Sequence, residues 1–205
     1  MRMPERGLYA LTPDGDDASA LLDAVEAAIT GGAVMVQFRQ KGLAPAIARS
    51  RAERLLAVCR GRGVPLVVND DLELAAAIGA DGVHLGREDP AVAEARRRLG
   101  PDAIVGASCY DSLALARAAA AAGASYLAFG SVFASSTKPQ ATRVSLDTIR
   151  AAAREFALPI CAIGGITAGN AAPVIAAGAG LLAVISAVFA EPDPRAAAAR
   201  FRALF

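Results

Sequence analysis

The sequence has one histidine, three cysteines and a net charge of only +1. Each scarcity narrows what the chain can do. Cys59, Cys109 and Cys161 are odd in number and far apart, so they form no thiolate metal motif and read as thiols of a reducing compartment. With 21 Lys+Arg against 20 Asp+Glu, no overall field draws the chain to nucleic acid or to an anionic membrane. A local basic site remains compatible with that balance. The longest apolar run, residues 178–190, is too short to cross a bilayer and is interrupted by Ser186. Residues 1–6 are polar and do not read as a signal peptide. No Pro-, Gly- or Ser-rich linker divides the 205 residues, a length that suits one domain with a sizeable core. The expected setting is cytoplasmic, with neither nucleic acid nor membrane as a partner.

What is present is a repeat of short apolar runs, about one every 25 residues: 8–12, 34–38, 66–68, 82–85, 103–107, 126–129, 160–163 and 182–185. Most are apolar on consecutive residues, the pattern of strands buried on both faces. Between them lie helical patterns at 18–30, 45–62, 72–78, 92–99, 112–122, 146–155, 171–177 and 194–204. Glycines close most of these helices, and Asn170 is placed to cap the seventh. A phrase recurs at three helix-to-strand joints: Gly79-Ala80-Asp81-Gly82, Gly123-Ala124-Ser125-Tyr126 and Gly178-Ala179-Gly180-Leu181. Eight strands alternating with eight helices predict a (β/α)8 TIM barrel spanning 1–205 as a single α/β domain. An open doubly wound sheet fits less well, because polar residues follow nearly every strand rather than gathering at one crevice.

A barrel of this kind builds its site from residues at the C-terminal strand ends. After the second strand, Gln37, Arg39 and Lys41 alternate with Phe38 and Gln40, so the first three share a face while the chain stays extended. Two cations and an amide there suit a phosphate or pyrophosphate. Asn69, Asp70 and Asp71 follow the third strand, and Asp89 follows the fourth. Asp70 and Asp89 sit on neighbouring loops and read either as ligands of Mg²⁺ or as helix caps. Ser108 after the fifth strand can donate to a phosphate oxygen, while Cys109 has no basic partner nearby in sequence. Ser135, Ser136, Thr137 and Lys138 form a hydroxyl-rich loop suited to a second anion, or to a plain surface loop. Gly164 and Gly165 after the seventh strand, with Ile185 and Ser186 after the eighth, occupy the usual barrel phosphate pocket. His84, alone among apolar neighbours, is expected to be a hydrogen-bonded core residue. The arginine-rich stretch 94–98 is expected to be a solvated face.

In this order and spacing the phrases resemble the thiamine phosphate synthase family over nearly the whole chain. The matching pieces are Gln37-Phe38-Arg39-Gln40-Lys41, Asn69-Asp70, the run 80–86 with Glu88-Asp89, Ser108, Ser135 to Pro139, Ile163-Gly164-Gly165-Ile166-Thr167 and Ile185-Ser186. The resemblance implies that the stretch Gln37 to Lys41, with Asn69, Ser108 and Lys138, binds hydroxymethylpyrimidine pyrophosphate. It implies Asp70 and Asp89 as ligands of Mg²⁺. It implies a thiazole phosphate site made by Ser135, Ser136, Thr137, Gly165, Ile185 and Ser186. Arg39, Lys41, Lys138 and Ser108 would then assist catalysis by stabilising the leaving pyrophosphate. The chain departs from the common pattern at Asp71, usually arginine, at Cys109-Tyr110, commonly Thr-His, at Ser135-Ser136, often Thr-Pro, and at Gly180, often Asp. Alternatives are a thiazole tautomerase on a similar barrel, a non-catalytic ligand-sensing barrel and a phosphosugar isomerase. The tautomerase would not need Gln37, Arg39, Lys41, Asn69, Asp70, Asp89 and Lys138. The isomerase would need a paired acid and base that the sequence lacks. Alanine-rich outer helices leave room for a homo-oligomer.

Overall fold

A computed structural model describes residues 1–15, 17–89, 91–134 and 142–205. Eight parallel strands close in sequence order: β1 (Gly7–Leu11), β2 (Ala33–Phe38), β3 (Leu66–Asn69), β4 (Gly82–Leu85), β5 (Ile104–Tyr110), β6 (Tyr126–Gly130), β7 (Ile160–Ile163) and β8 (Leu181–Val184). The barrel closes where Gly7 of β1 pairs with Leu181 of β8. Between the strands run α1 (Ala18–Gly31), α2 (Pro45–Gly61), α3 (Leu72–Ile78), α4 (Val92–Leu99), α5 (Leu113–Ala121), α6 (Leu146–Glu155) and α7 (Ala172–Ala176). After β8 come a short α8 (Ser186–Phe189) and then α9 (Pro194–Arg202). The expected (β/α)8 barrel is therefore present. Among the described residues no helix is long and apolar enough to cross a membrane.

Strand periodicity sorts the apolar residues into two layers. Tyr9, Leu11, Met35, Val67, Ile104, Tyr126, Cys161 and Leu181 point inward and fill the barrel. Their neighbours, such as Leu8, Val36, Val68 and Leu182, point outward and meet the helices. Because both faces are covered, the strands read as unbroken apolar runs. All three cysteines are buried and unpaired. Burial pushes the thiols of Cys59 and Cys109 up to about 12, which removes them from nucleophilic chemistry at neutral pH.

The repeated phrase marks the N-terminal floor of the barrel. Its third residue turns back onto the preceding strand. Asp81 N–H donates to Leu66 O and its carboxylate accepts from Leu66 N–H at 3.0 Å. Ser125 does the same toward Val105, its hydroxyl accepting at 3.0 Å. At the third copy the residue is Gly180, and a Cβ there would sit 2.4 Å from Glu5 O. The N-terminal segment crossing the floor thus excludes the Asp common at this position.

Four local features differ from the sequence reading. β5 continues through Ser108 to Tyr110, three residues past its expected end. Asn170 does not cap α7; its carbonyl accepts from Thr167 N–H at 2.8 Å and its amide donates to Gly165 O at 3.0 Å, tying the β7–α7 loop. The short α8 separates β8 from the last long helix. Arg96, expected in a solvated face, turns under the barrel. It donates to the carbonyls of Gly100, Pro101, Ala103 and Gly123 and to Ser125. Replacing Arg96 with methionine keeps the stem but orphans these acceptors. The expected result is a loss of about 2–3 kcal/mol in urea unfolding, with kcat unchanged because the floor lies opposite the cavity.

Candidate active site

The C-terminal ends of the strands surround an open cavity of about 1160 Å³. Gln37, Arg39, Lys41, Asn69, Asp70, Asp89, Ser108, Gly165, Ile185 and Ser186 all line it. Phe38 and Gln40 do not. Phe38 packs outward with Leu21, Val25 and Leu55, and the Gln40 amide is held by Gly15 O at 3.0 Å and by Arg51. Alternation along an extended chain explains both sets. Ser135, Ser136, Thr137 and Lys138 lie outside the described residues.

The cationic wall is held from the segment after β1, whose role was not evident in the sequence. Thr12, fully buried, donates its hydroxyl to Arg39 O at 2.9 Å and accepts from Arg39 N–H at 2.8 Å. Asp14 accepts from the Arg39 guanidinium at 3.1 Å and from Lys41 N–H at 2.8 Å. Partial burial opposes ionisation of Asp14, but the Lys41 N–H and the guanidinium outweigh it and hold the carboxyl below its ordinary value. Asp14 thus stays charged and fixes the direction of Arg39. The pairing leaves the other guanidinium nitrogens available to a ligand.

Next round the rim, after β3 and β4, stand the two carboxylates. Asp70 has φ of 63°, a left-handed conformation rare for a residue other than glycine, asparagine or aspartate. Its N–H donates to His84 O at 2.8 Å, which anchors the turn on β4. The side chain then faces that of Asp89, while Asn69 donates to it and Lys41 attracts it. Burial first, and the Asp89 carboxyl second, push Asp70 up to about 6. The helix-cap alternative falls elsewhere: Asp71 caps α3, accepting from Leu74 N–H at 2.8 Å. Asp89 instead accepts from Gly86 N–H at 2.5 Å. Among the described residues no group of three or more His, Cys, Asp and Glu could hold a metal ion. Two facing carboxylates are the donor set a hard divalent cation accepts when a ligand's oxygens complete its shell.

The loop carrying Asp89 is braced from β5. Tyr110, at φ of 56°, accepts from Arg87 N–H at 3.3 Å, and the Arg87 guanidinium lies 4.9 Å over its ring.

The third wall is backbone. Gly164 and Gly165 have φ of 103° and 62°. A Cβ at Gly164 would meet Ser131 Oγ at 2.0 Å, and one at Gly165 would meet Ala134 O at 2.2 Å. Only glycine lets the start of the β6–α6 loop lie against β7, where Val132 and Phe133 N–H donate to Ile163 O and Gly164 O. Beside these glycines, after the neighbouring β8, Ile185 leads into the first turn of α8 at Ser186.

Fold and cavity define a (β/α)8 barrel with a cationic strand end beside a carboxylate pair at its open rim. The sequence model of one protein family, described as thiamine monophosphate synthase, matches residues 8–188. The chain is 56% identical over 205 residues to the thiamine-phosphate synthase of Thiobacillus denitrificans, covering 100% of this chain and 97% of the relative. It is 52% identical over 200 residues to that of Aromatoleum aromaticum, covering 98% and 96%. Its fold superposes on the thiamine phosphate pyrophosphorylase of Pyrococcus furiosus with a TM-score of 0.86 at 34% identity, covering 98% and 95%. The chain belongs to the thiamine monophosphate synthase family and is an enzyme of the transferase class.

Proposed function

We propose that this enzyme joins 4-amino-2-methyl-5-hydroxymethylpyrimidine pyrophosphate to 4-methyl-5-(2-phosphoethyl)thiazole, giving thiamine phosphate and pyrophosphate. The observation that carries the proposal is one cavity with three chemically distinct walls. Arg39 and Lys41 offer charge to a pyrophosphate, Asp70 and Asp89 offer oxygens to a cation, and Gly165 with Ser186 offers an open backbone surface to a second phosphate. The cavity volume, about 1160 Å³, exceeds what one small ligand needs and suits two side by side.

The chemistry follows from the substrates. The bond from the pyrimidine methylene to the pyrophosphate oxygen breaks, and its electron pair leaves on the pyrophosphate. The ring amino group spreads the positive charge left behind. The thiazole nitrogen donates its lone pair to that carbon and forms the new C–N bond. No side chain needs to act as nucleophile or strong base. The residues instead stabilise charge on the leaving group, orient the two rings and exclude water. Arg39, kept in direction by Asp14, and Lys41 take the first role, joined by Lys138 on our reading. Ser108 at the cavity base donates to the pyrophosphate. Asp70 and Asp89 would hold Mg²⁺, whose bound charge would favour departure of the pyrophosphate. The tautomerase reading leaves the facing carboxylates and the braced Arg39 without a purpose.

The test is to mix the purified enzyme with both substrates and Mg²⁺ and follow thiamine phosphate by mass spectrometry, with and without chelator. Product that disappears with chelator is the expected result. Product that persists with chelator would remove the metal from the proposal. No product at any metal concentration would overturn the reaction itself.

A further inference from the structure

Inside the barrel runs a chain of polar side chains whose three middle members, Tyr9, Tyr126 and His84, the reaction described above does not use. Gln37 donates its amide N–H to Tyr9 OH at 2.7 Å. Tyr9 OH and Tyr126 OH are 3.0 Å apart. Tyr126 OH lies 2.8 Å from His84 Nδ1, and His84 Nε2 lies 2.9 Å from Ser108 Oγ. The chain therefore links β2, β1, β6, β4 and β5 in turn, and both of its ends line the cavity. Its two tyrosines are closed to solvent, 1% and 0% exposed, while His84 is partly buried and also lines the cavity.

A buried hydroxyl has one hydrogen to give and must give it. Tyr9 accepts from Gln37, so its own hydrogen satisfies a partner only by going to Tyr126. Tyr126 must then donate to His84 Nδ1. His84 carries its proton on Nε2 and donates to Ser108 Oγ. The Ser108 hydrogen is left directed to the cavity. With the Gln37 amide N–H given to Tyr9, this is the direction in which both buried tyrosine hydroxyls donate.

β5 is built around this chain. A Cβ at Gly106 would sit 2.2 Å from Tyr126 Cζ, 2.3 Å from its hydroxyl and 2.5 Å from His84 Nδ1. Gly106 is not in the left-handed region, so the glycine serves space rather than conformation. The Tyr126 and His84 rings stack over it at 5.5 Å and 19°. Burial raises both tyrosines well above their ordinary ionisation range, so they stay neutral.

We propose that Tyr9, Tyr126 and His84 form a one-way hydrogen-bond relay that fixes Gln37 as a carbonyl acceptor and Ser108 as a hydroxyl donor toward the ligand. They are positioning residues, and the property they set is selectivity for the pyrimidine edge. With Nε2 committed to Tyr9, the Gln37 carbonyl faces a ring substituent that donates, such as an amino group, and disfavours one that only accepts, such as an oxo group. This rests on the pyrimidine pyrophosphate reading of the cavity.

Because the chain has a single histidine, ¹⁵N imidazole NMR of the intact wild-type enzyme reads the relay directly. The expected spectrum is that of a neutral ring protonated on Nε2. Protonation on Nδ1 would overturn the relay, whatever the enzyme's reaction. Tyr9→Phe supplies the second arm. Freed from Tyr9, the amide can turn, so the ratio of the 4-oxo analogue's Ki to the 4-amino substrate's KM should shrink about tenfold or more. The KM for thiazole phosphate should stay unchanged. A folded Tyr9→Phe enzyme with the wild-type ratio would also overturn the proposal. A wild-type enzyme that turns over no pyrimidine pyrophosphate would instead sink the functional reading, and the NMR result would still judge the relay.

Discussion

An enzyme with asparagine at position 70 is expected to melt higher than wild type and to be nearly inactive. Asp70 is held beside Asp89 in a half-buried place, and both burial and that neighbour oppose its charge. The side-chain amide removes the like-charge contact. Asparagine also tolerates φ of 63° at least as well as aspartate. Because the site is open to water, the gain is discounted for screening and set at about 1 kcal/mol, or roughly 2–4 °C in Tm. The pH dependence has a definite sign. A carboxyl whose folded value is raised to about 6 binds its proton more tightly folded than unfolded. Its contribution to stability is therefore present at low pH and is lost as pH rises through about 6. The metal-free wild type should lose Tm across that window, and Asp70→Asn should lose less. Added Mg²⁺ should restore Tm at pH 8 in the wild type alone. Turnover of the variant should fall by about 10³-fold or more, since the position faces the leaving charge. Equal melting of the two proteins at pH 5 and pH 8, with chelator, would contradict this account of the pair.

Arg39→Met should lower kcat/KM for the pyrimidine pyrophosphate by about 10²–10³-fold. Arg39→Lys should recover only part of that loss, because a point charge does not replace a planar fork held by a carboxylate. Asp14→Asn should fall between wild type and Arg39→Lys, at about tenfold. It keeps an acceptor for Lys41 N–H but loses the charge that directs the guanidinium. The KM for thiazole phosphate should move little in all three. Steady-state kinetics with each substrate varied in turn decides the matter. An Asp14→Asn enzyme indistinguishable from wild type would mean that Arg39 needs no brace. A loss shared equally by both substrates would mean that Arg39 serves the fold rather than one ligand.

Residue type and spacing by themselves determined much of this protein. Parallel strands covered on both faces must be apolar on consecutive residues, and that pattern survives in the linear text. The strand ends then name the cavity-lining positions, because a closed parallel barrel sends every strand end to the same rim. The alternation that separates Gln37, Arg39 and Lys41 from Phe38 and Gln40 is likewise a period-two property of the chain. Tertiary structure alone decided the rest. Asp70 rather than Asp71 faces Asp89, because the chain turns left-handed at Asp70 and leaves Asp71 to cap α3. Asp14 braces Arg39 from 25 residues away. Tyr9 meets Tyr126 across 117 residues, and His84 joins them only because Gly106 leaves the space. Such contacts depend on barrel closure and on side-chain direction across strands that are not adjacent in the chain. A local pattern of polarity carries no record of either.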